Sequence, residues 1–364
     1  VVLHPTAATV ERFSAHVSRM REASKSAPAD DALAAPLRTL DGREVTLRAN
    51  IELPAEYEGI RRYGARGIGL YRSEFLLSHD GVLPSEEEQC AAYIKVAQLA
   101  GADGATIRLF DLGGEKIGLA EADSAPRNPA LGLRAIRFAL QQEDVLRTQV
   151  RALLRAAAHK SLRIVLPMIS DVAEVRRTRV VINEERERLE SEGHQTGMVE
   201  IGAMIEVPSA VFVADKLARE VDFFSLGTND LVQYLLAVDR SNDQVADWFR
   251  SLHPAVLQSI RLTLDAARRA GIPAVVCGEM AATPTYAFVL LGLGARDLSM
   301  SAAAIPRIRY TIARIDAASA ERIVTECLEC ASADEVEALI YKQLGEGWPH
   351  LFPPEILPAP KNKE

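Results

Sequence analysis

The sequence has few cysteines and no long hydrophobic run. Four cysteines among 364 residues are too few for a disulfide scaffold. No apolar run approaches the roughly 18–20 residues of a membrane-spanning helix, and no charged segment followed by an apolar stretch marks a signal peptide. We therefore expect a cytoplasmic protein that is not inserted in a membrane. The chain starts at Val1 rather than at a methionine, which is compatible with its being part of a longer polypeptide.

An excess of positive charge is also absent. Lys and Arg number 42 against 50 Asp and Glu, so the net charge is −8. Such a chain is a poor candidate for nonspecific nucleic-acid binding, and binding of an anion would need a local cluster of arginines. Hydrophobic residues make up 48% and charged residues 25%, which excludes a disordered chain, a coiled coil and a collagen-like repeat.

Short apolar runs alternate with helical patterns through most of the chain. Each run is nearly continuous in apolar character, as strands buried on both faces should be. The eight runs are residues 45–49, 67–71, 105–109, 162–168, 201–205, 222–226, 273–276 and 297–300. Eight strand–helix units predict an α/β fold of the (β/α)₈ TIM-barrel type. The alternative is an open doubly wound sheet, although its glycine-rich nucleotide fingerprint is missing.

Helical patterns separate the apolar runs, and both ends of the chain differ from this alternation. The helical patterns include residues 85–100, which open on a capping box of Ser85 with Glu88, and residues 133–159 and 172–192. Residues 1–40 are predicted as a short helical linker, with a candidate helix at 6–25. Residues 41–348 would form the barrel. Residues 349–364 contain five prolines and are expected to be a loosely packed tail.

Mostly polar residues follow the apolar runs. They are Asn50, Arg72, Arg108 with Asp111, Met168, Glu206, Asn229 with Asp230, Cys277 and Ser301. A barrel enzyme carries its chemistry at the carboxyl ends of its strands. The sequence therefore predicts a pocket at this end of the barrel.

The predicted pocket combines arginines with carboxylates. Arg72 and Arg108 are planar cations suited to phosphate or carboxylate, and Arg134, Arg240 and Lys116 can join them. Two carboxylates from neighbouring strands, Glu206 and Asp230, suit magnesium, which completes its shell with substrate oxygens and water. The alternative is that these charges form structural ion pairs.

Taken one at a time, the four cysteines do not indicate a functional site. A free cysteine such as Cys277 is most often a small buried hydrophobe. Cys90 falls on the apolar side of a predicted helix. Cys327 and Cys330 resemble half of a zinc site, but no second pair follows, so no zinc site is predicted.

Eight stretches in one order carry a resemblance to a known family. They are residues 67–76 (GIGLYRSEFL), 107–116 (IRLFDLGGEK), 128–137 (NPALGLRAIR), 204–210 (MIEVPSA), 223–231 (FFSLGTNDL), 238–243 (VDRSND), 277–279 (CGE) and 299–301 (SMS). Over about residues 41–315 the chain resembles the C-terminal, phosphoenolpyruvate-binding part of enzyme I of the bacterial phosphotransferase system, among the PEP-utilizing enzymes. Pyruvate phosphate dikinase and phosphoenolpyruvate synthase look like more distant relatives.

The resemblance implies a role for each residue of the predicted pocket. The residues that would bind the substrate phosphoenolpyruvate are Arg72, Arg108, Lys116, Arg134, Asn229 and Arg240. Glu206 and Asp230 would hold Mg²⁺. Cys277 would be the catalytic proton donor and acceptor at the methylene carbon. The implied activity is that of a phosphotransferase that passes the phosphoryl group to a histidine and protonates the remaining enolate to pyruvate.

The resemblance also implies partners that this chain does not contain. The accepting histidine would lie in a separate N-terminal domain, to which residues 1–40 would be the remnant of a connection. A small histidine phosphocarrier protein would receive the phosphoryl group next, and the barrel would form a homodimer. One departure from the family concerns the segment after Glu279, where Met280-Ala-Ala-Thr283 replaces the usual apolar residue followed by Ala-Gly-Asp. Losing that glycine restricts the backbone beside Cys277.

Other functions stay open at this point. The chain could be a phosphoenolpyruvate-sensing or dimerisation module with impaired catalysis, or a magnesium-dependent lyase of the phosphoenolpyruvate/pyruvate barrel group. Within the leading hypothesis, the whole protein could be the sugar-system form, a nitrogen-related form or a fused multiphosphoryl transfer protein.

Overall fold

Parallel strands close into a barrel in the computed structural model, which describes residues 36–77, 81–113 and 128–358. The barrel strands within these ranges are β2 (Glu44–Ile51), β3 (Ile68–Arg72), β4 (Ala105–Arg108), β5 (Leu162–Leu166), β6 (Val199–Ile205), β7 (Phe223–Leu226), β8 (Ala274–Val276) and β9 (Asp297–Ser301). Each strand pairs in parallel with the next, and β9 pairs back onto β2 from Thr46–Asp297 to Asn50–Ser301. The predicted (β/α)₈ barrel is therefore confirmed, and the alternative prediction of an open doubly wound sheet is wrong.

Burial on both faces explains why the strands were visible as apolar runs. All four residues of β7 are buried, and the last five residues of β6 are buried as well. Four strands and the residue after β8 contribute side chains to a separate buried cluster, which consists of Leu70, Val165, Met204, Phe223 and Cys277. A short strand, β1 (Leu37–Arg38), pairs antiparallel with the start of β2.

Helices surround the barrel. Those of the described residues are α1 (Tyr57–Arg62), α2 (Glu86–Leu99), α3 (Ile136–Gln141), α4 (Glu143–Ala157), α5 (Val172–Ser191), α6 (Pro208–Phe212), α7 (Ala214–Leu217), α8 (Thr228–Leu236), α9 (Pro254–Ala270), α10 (Pro284–Gly292), α11 (Ile305–Ile312), α12 (Ala317–Leu328) and α13 (Ala333–Gly347). The capping box at the start of α2 is confirmed, since Ser85 and Glu88 exchange hydrogen bonds. In the part of the chain that the structure describes, no helix is long and apolar enough to cross a membrane.

Two expectations about these elements are wrong. The single helix predicted over 133–159 is two helices, because the chain leaves helical geometry at Gln142 (φ −106°, ψ 67°). Glu143 and Asp144 follow, and acidic side chains favour the start of a new helix. The tail is not loosely packed over 349–358: Phe352 is fully buried, and its ring centroid lies 5.8 Å from that of Phe288.

The remaining predictions, on the chain ends and on the cysteines, have different outcomes. Residues 1–35, which contain the candidate helix and most of the predicted linker, lie outside the described residues, as do residues 359–364. Cys90 and Cys327 are buried in the main hydrophobic core. Within the described ranges, no group of three or more His, Cys, Asp or Glu side chains is arranged to hold a metal ion.

Candidate active site

A cavity of about 740 Å³ opens at the carboxyl ends of the barrel strands. Its lining includes eight of the nine residues to which the family resemblance gives a role: Arg72, Arg108, Arg134, Glu206, Asn229, Asp230, Arg240 and Cys277. The ninth, Lys116, lies outside the described residues. Side chains separated by up to 205 positions along the chain (277 minus 72) thus meet in one place.

Arg108 is held by carboxylates at the end of β4. Its Nη2 lies 2.9 Å from Glu74 Oε1 and its Nη1 lies 3.2 Å from Asp111 Oδ2. Burial lowers the pKa of Arg108, but Glu74, Asp111, Glu206 and Asp230 outweigh that effect and raise the pKa above its ordinary value. The guanidinium is therefore charged at every pH at which the protein folds.

Arg134 forms a two-pronged contact with Asp111. Its Nε and Nη2 donate to the two carboxylate oxygens at 3.0 and 2.7 Å. Its Nη1 donates to the Tyr234 hydroxyl at 3.2 Å, and that hydroxyl donates to the Ala130 carbonyl at 2.6 Å. This geometry fixes the plane of the guanidinium at the cavity wall.

Arg72 and Arg240 are the more exposed cations of the cavity. Arg72 ends β3 and pairs with Glu52. Arg240 Nη2 lies 3.7 Å from Asp230 Oδ1, beyond hydrogen-bonding distance. The Nε atoms of Arg72 and Arg108 are buried and have no hydrogen-bond partner among the described residues.

Glu206 and Asp230 form the acidic part of the cavity. Glu206 follows β6 and is 1% exposed, and its Oε1 accepts a hydrogen bond from the Met168 backbone N–H at 2.7 Å. Met168 adopts a positive φ of 57°, a strained conformation for this residue type. Asp230 lies in the first turn of α8, and its Oδ1 is buried without a hydrogen-bond partner within the described ranges.

The electrostatics of these two carboxylates fit a bound divalent cation. Burial, followed by repulsion from Asp230 and Asp111, raises the pKa of Glu206 to about 8. A cation between the two carboxylates would relieve both the repulsion and the unsatisfied oxygen of Asp230. Two carboxylates with substrate and water oxygens make a donor set that magnesium accepts.

Cys277 follows β8 and is 3% exposed. Its Sγ accepts a hydrogen bond from Ser225 Oγ at 3.2 Å and donates to the Leu226 carbonyl at 3.3 Å. Burial raises the pKa of the thiol to about 11, although the Ser225 hydroxyl lowers it in part. The side chain is therefore a neutral thiol at neutral pH.

Two asparagines fix the backbone around Cys277. Asn50 Nδ2 donates to the Cys277 carbonyl at 2.9 Å, and its Oδ1 accepts from Ser299 Oγ at 2.6 Å. Asn229 Oδ1 accepts from the backbone N–H of Glu279 at 3.0 Å. The segment that departs from the family after Glu279 is thus anchored to the helix that carries Asp230.

Several residues of the site were not predicted from the sequence. Glu52, Glu74, Ser225 and Tyr234 contact the expected residues, yet none ends an apolar run. Glu74 could have been predicted from its position. It lies two residues after Arg72, which ends a strand, and an acidic side chain there can fold back onto the cavity.

Comparisons with known proteins identify the family of the chain. The family model described as "PEP-utilising enzyme, PEP-binding domain" matches residues 26–317. The chain is 38% identical over 351 residues to a phosphoenolpyruvate-protein phosphotransferase of Listeria monocytogenes, and the match covers 95% of this chain and 60% of that protein. It is 37% identical over 345 residues to a protein of the same name from Bacillus subtilis, with 93% and 60% covered.

The chain spans about 60% of the length of these relatives. Among solved structures, a citrate lyase from Burkholderia xenovorans is similar at 13% identity and a TM-score of 0.47, over 83% of this chain and 92% of that one. That likeness is too distant to indicate a function.

Proposed function

The chain belongs to the PEP-utilising enzymes through its PEP-binding domain, and from this premise we propose that it is the catalytic barrel of a phosphoenolpyruvate–protein phosphotransferase. The observation that carries the proposal is the convergence of four arginines, three buried carboxylates (Asp111, Glu206 and Asp230) and one buried thiol on a single cavity. Phosphoenolpyruvate has a phosphate, a carboxylate and a carbon that must be protonated, and the cavity offers a group for each.

Arginines bind the anionic substrate in this proposal. Arg72 and Arg108 contact the phosphoryl group, supported by the position of both side chains in the cavity lining. Arg240 and Asn229 lie beside it, and Arg134 completes the positive lining, together with Lys116.

Glu206 and Asp230 hold Mg²⁺ in this proposal. Their support is the unpartnered Asp230 Oδ1 and the raised pKa of Glu206. When bound, the cation stabilises the negative charge that develops on the enolate oxygen as the phosphoryl group leaves.

Cys277 supplies the proton. Transfer of the phosphoryl group breaks the P–O bond and leaves its electron pair on the enolate oxygen. The methylene carbon then takes the thiol proton, which gives pyruvate and a thiolate. A thiol with a pKa near 11 is almost fully protonated at neutral pH and is therefore loaded for this step.

The remaining steps involve parts of a longer protein. We propose that a histidine on a separate N-terminal domain accepts the phosphoryl group and passes it to a small phosphocarrier protein of the bacterial phosphotransferase system, and that the barrel works as a cytoplasmic homodimer. Residues 1–40 would link that domain to the barrel at 41–348. The support is that matched relatives extend well beyond this chain.

Reconstitution tests the proposal. The chain is mixed with a separately produced phosphohistidine domain and phosphocarrier protein, and pyruvate release from phosphoenolpyruvate is followed. We expect release that depends on all three components and on Mg²⁺. Substrate binding without turnover would instead support a sensing module, and cleavage of a carbon–carbon bond in a 2-hydroxy acid would support a lyase.

A further inference from the structure

A fully buried glutamine lies behind the two arginine-bearing strand ends. Gln149 is on α4, in the outer helical layer, and is 2% exposed. Its neighbours Leu146, Val150 and Leu153 are buried and apolar. Packing alone would allow an apolar side chain at this position of the helix. The buried amide therefore needs another explanation.

Three hydrogen bonds hold that amide, two through its nitrogen and one through its oxygen. Gln149 Oε1 accepts from the Phe110 backbone N–H at 3.0 Å. Its Nε2 donates to Ser73 Oγ and to the Tyr93 hydroxyl, each at 3.0 Å. Because a backbone N–H can only donate, the amide has one orientation that satisfies all three contacts.

These contacts join the residues that follow two neighbouring strands. Ser73 comes directly after Arg72, and Phe110 comes two positions after Arg108. Ser73 Oγ in turn donates to the Arg108 carbonyl at 2.6 Å. Arg72 and Arg108 are register partners in β3 and β4. The amide thus ties together the backbone on which both arginines stand.

We propose that Gln149 is a positioning residue that sets the spacing of Arg72 and Arg108 for the phosphate of the substrate. This inference rests on the proposed function, since it assumes that the two arginines contact the phosphate. Gln149 lines no part of the cavity and acts through the Phe110 backbone and the Ser73 hydroxyl. Glu74 provides a second tie on the cavity side, because its Oε1 accepts from the Asp111 N–H at 2.7 Å. Removal of the glutamine side chain therefore makes the spacing of Arg72 and Arg108 less fixed, while Glu74 still constrains it.

Binding of phosphoenolpyruvate and of pyruvate by the 364-residue chain tests the proposal. Pyruvate lacks the phosphate, so a change in arginine spacing lowers the affinity for phosphoenolpyruvate and leaves that for pyruvate nearly unchanged. For Gln149→Leu we expect the ratio of the two affinities to fall on the order of 10- to 100-fold, the size that a misplaced binding group produces. General destabilisation would weaken both ligands together.

Two further variants guard against misfolding. Ser73→Ala removes the hydroxyl between Gln149 and the Arg108 carbonyl, and we expect a fall in the same ratio. Thr263→Val is the matched control, since Thr263 is buried in α9 and its hydroxyl donates only to the Ser259 carbonyl at 2.9 Å. The control should leave the ratio unchanged.

The outcomes separate this inference from the proposed function. If the unaltered chain binds no phosphoenolpyruvate, the proposed function fails. If the unaltered chain binds it and both Gln149→Leu, in folded form, and Ser73→Ala keep the ratio, the positioning role is wrong. If Gln149→Leu does not fold, Ser73→Ala alone decides between the two results.

Discussion

Each arginine of the cavity that the structure describes is paired with a carboxylate of the same chain. Arg72 pairs with Glu52, Arg108 with Glu74 and Asp111, Arg134 with Asp111, and Arg240 lies near Asp230. The substrate anion therefore competes with built-in counterions. Among the pairs in hydrogen-bonding contact, competition is weakest at Arg72, because that pair is about one-third exposed on both sides and screened by water.

Glu52→Gln should strengthen phosphoenolpyruvate binding. Removal of the Glu52 charge frees Arg72 from its ion pair. Because an exposed ion pair contributes little free energy, we expect the affinity for phosphoenolpyruvate to rise only about two- to fivefold. Glu44→Gln is the control, since Glu44 pairs with Arg38 at 2.9 Å in an exposed contact elsewhere on β2. Titration calorimetry measures both, and an unchanged or weaker affinity in Glu52→Gln would refute competition at Arg72.

Cys277→Ala should abolish proton exchange at the methyl group of pyruvate. The thiolate form of Cys277 is the base that removes a methyl proton in the reverse direction, so exchange with deuterated solvent needs this side chain. NMR follows the loss of the methyl proton signal in the presence of Mg²⁺. Cys90→Ala, a change in the main core, should leave exchange intact. Exchange that persists in Cys277→Ala would remove the thiol from the mechanism.

Glu206 should make the stability of the metal-free chain fall as pH rises. Its pKa is raised to about 8 in the folded state from 4.5 in the unfolded chain, so the folded state binds the proton more tightly. The stabilisation is complete below pH 4.5 and is lost as pH rises towards 8, on the order of a few kcal/mol in total.

Thermal unfolding at pH 6 and pH 9 measures this loss. Glu206→Gln should lose less stability over that interval than the unaltered chain, and Mg²⁺ should stabilise the unaltered chain more at pH 9 than at pH 6. Equal pH dependence in the two proteins would contradict the account of Glu206.

At the residue scale, the side chains at the ends of strands were predictable from the sequence, whereas the side chains that contact and position them were not. Arg72, Arg108, Glu206 and Cys277 interrupt or follow apolar runs, which makes them visible. Gln149 is a polar residue in a helix, where polar residues are ordinary, and its burial depends on how α4 packs against the barrel. Such contacts exist only after the chain has folded.

At the scale of elements, the turn after β8 packs tightly against the start of α8. A Cβ on Gly278 would lie 1.9 Å from Thr228 Oγ1 and 2.9 Å from the Thr228 backbone nitrogen. The turn carries Cys277 and the helix carries Asn229 and Asp230, so close packing here sets the distance between the thiol and the acidic part of the cavity.

Gly278→Ala should destabilise the protein by about 1–3 kcal/mol, because backbone atoms must shift to admit the methyl group. It should also weaken Mg²⁺-dependent binding of phosphoenolpyruvate, since Asp230 moves with α8. Gly347→Ala is the control, because a Cβ there meets no atom within 4 Å. Chemical denaturation gives the free energies of unfolding, and equal values for the two variants would show that the contact is unimportant.

The elements were predictable to different degrees. Strands buried on both faces leave uninterrupted apolar runs, and all eight barrel strands overlap the predicted runs. The break at Gln142 was not visible, because helical spacing of Leu and Ala continues across it. Packing of the tail was not visible either, since prolines suggest loose structure while Phe352 docks beside Phe288.

At the scale of the whole molecule, closure of the barrel makes the site. Pairing of β9 with β2 places Asn50 beside the Cys277 carbonyl, and the same closure directs all eight strand ends to one mouth. An open sheet would have separated the first and last strands. The order of the strands was predictable from alternation, whereas the contacts across the seam were not.

Calorimetric titration of the chain with phosphoenolpyruvate at several Mg²⁺ concentrations tests the central claim most directly. The account predicts one bound phosphoenolpyruvate per chain, an affinity that rises with Mg²⁺, and loss of that rise in Glu206→Gln and Asp230→Asn. An absence of binding, or an affinity that ignores Mg²⁺ and survives both substitutions, would contradict it.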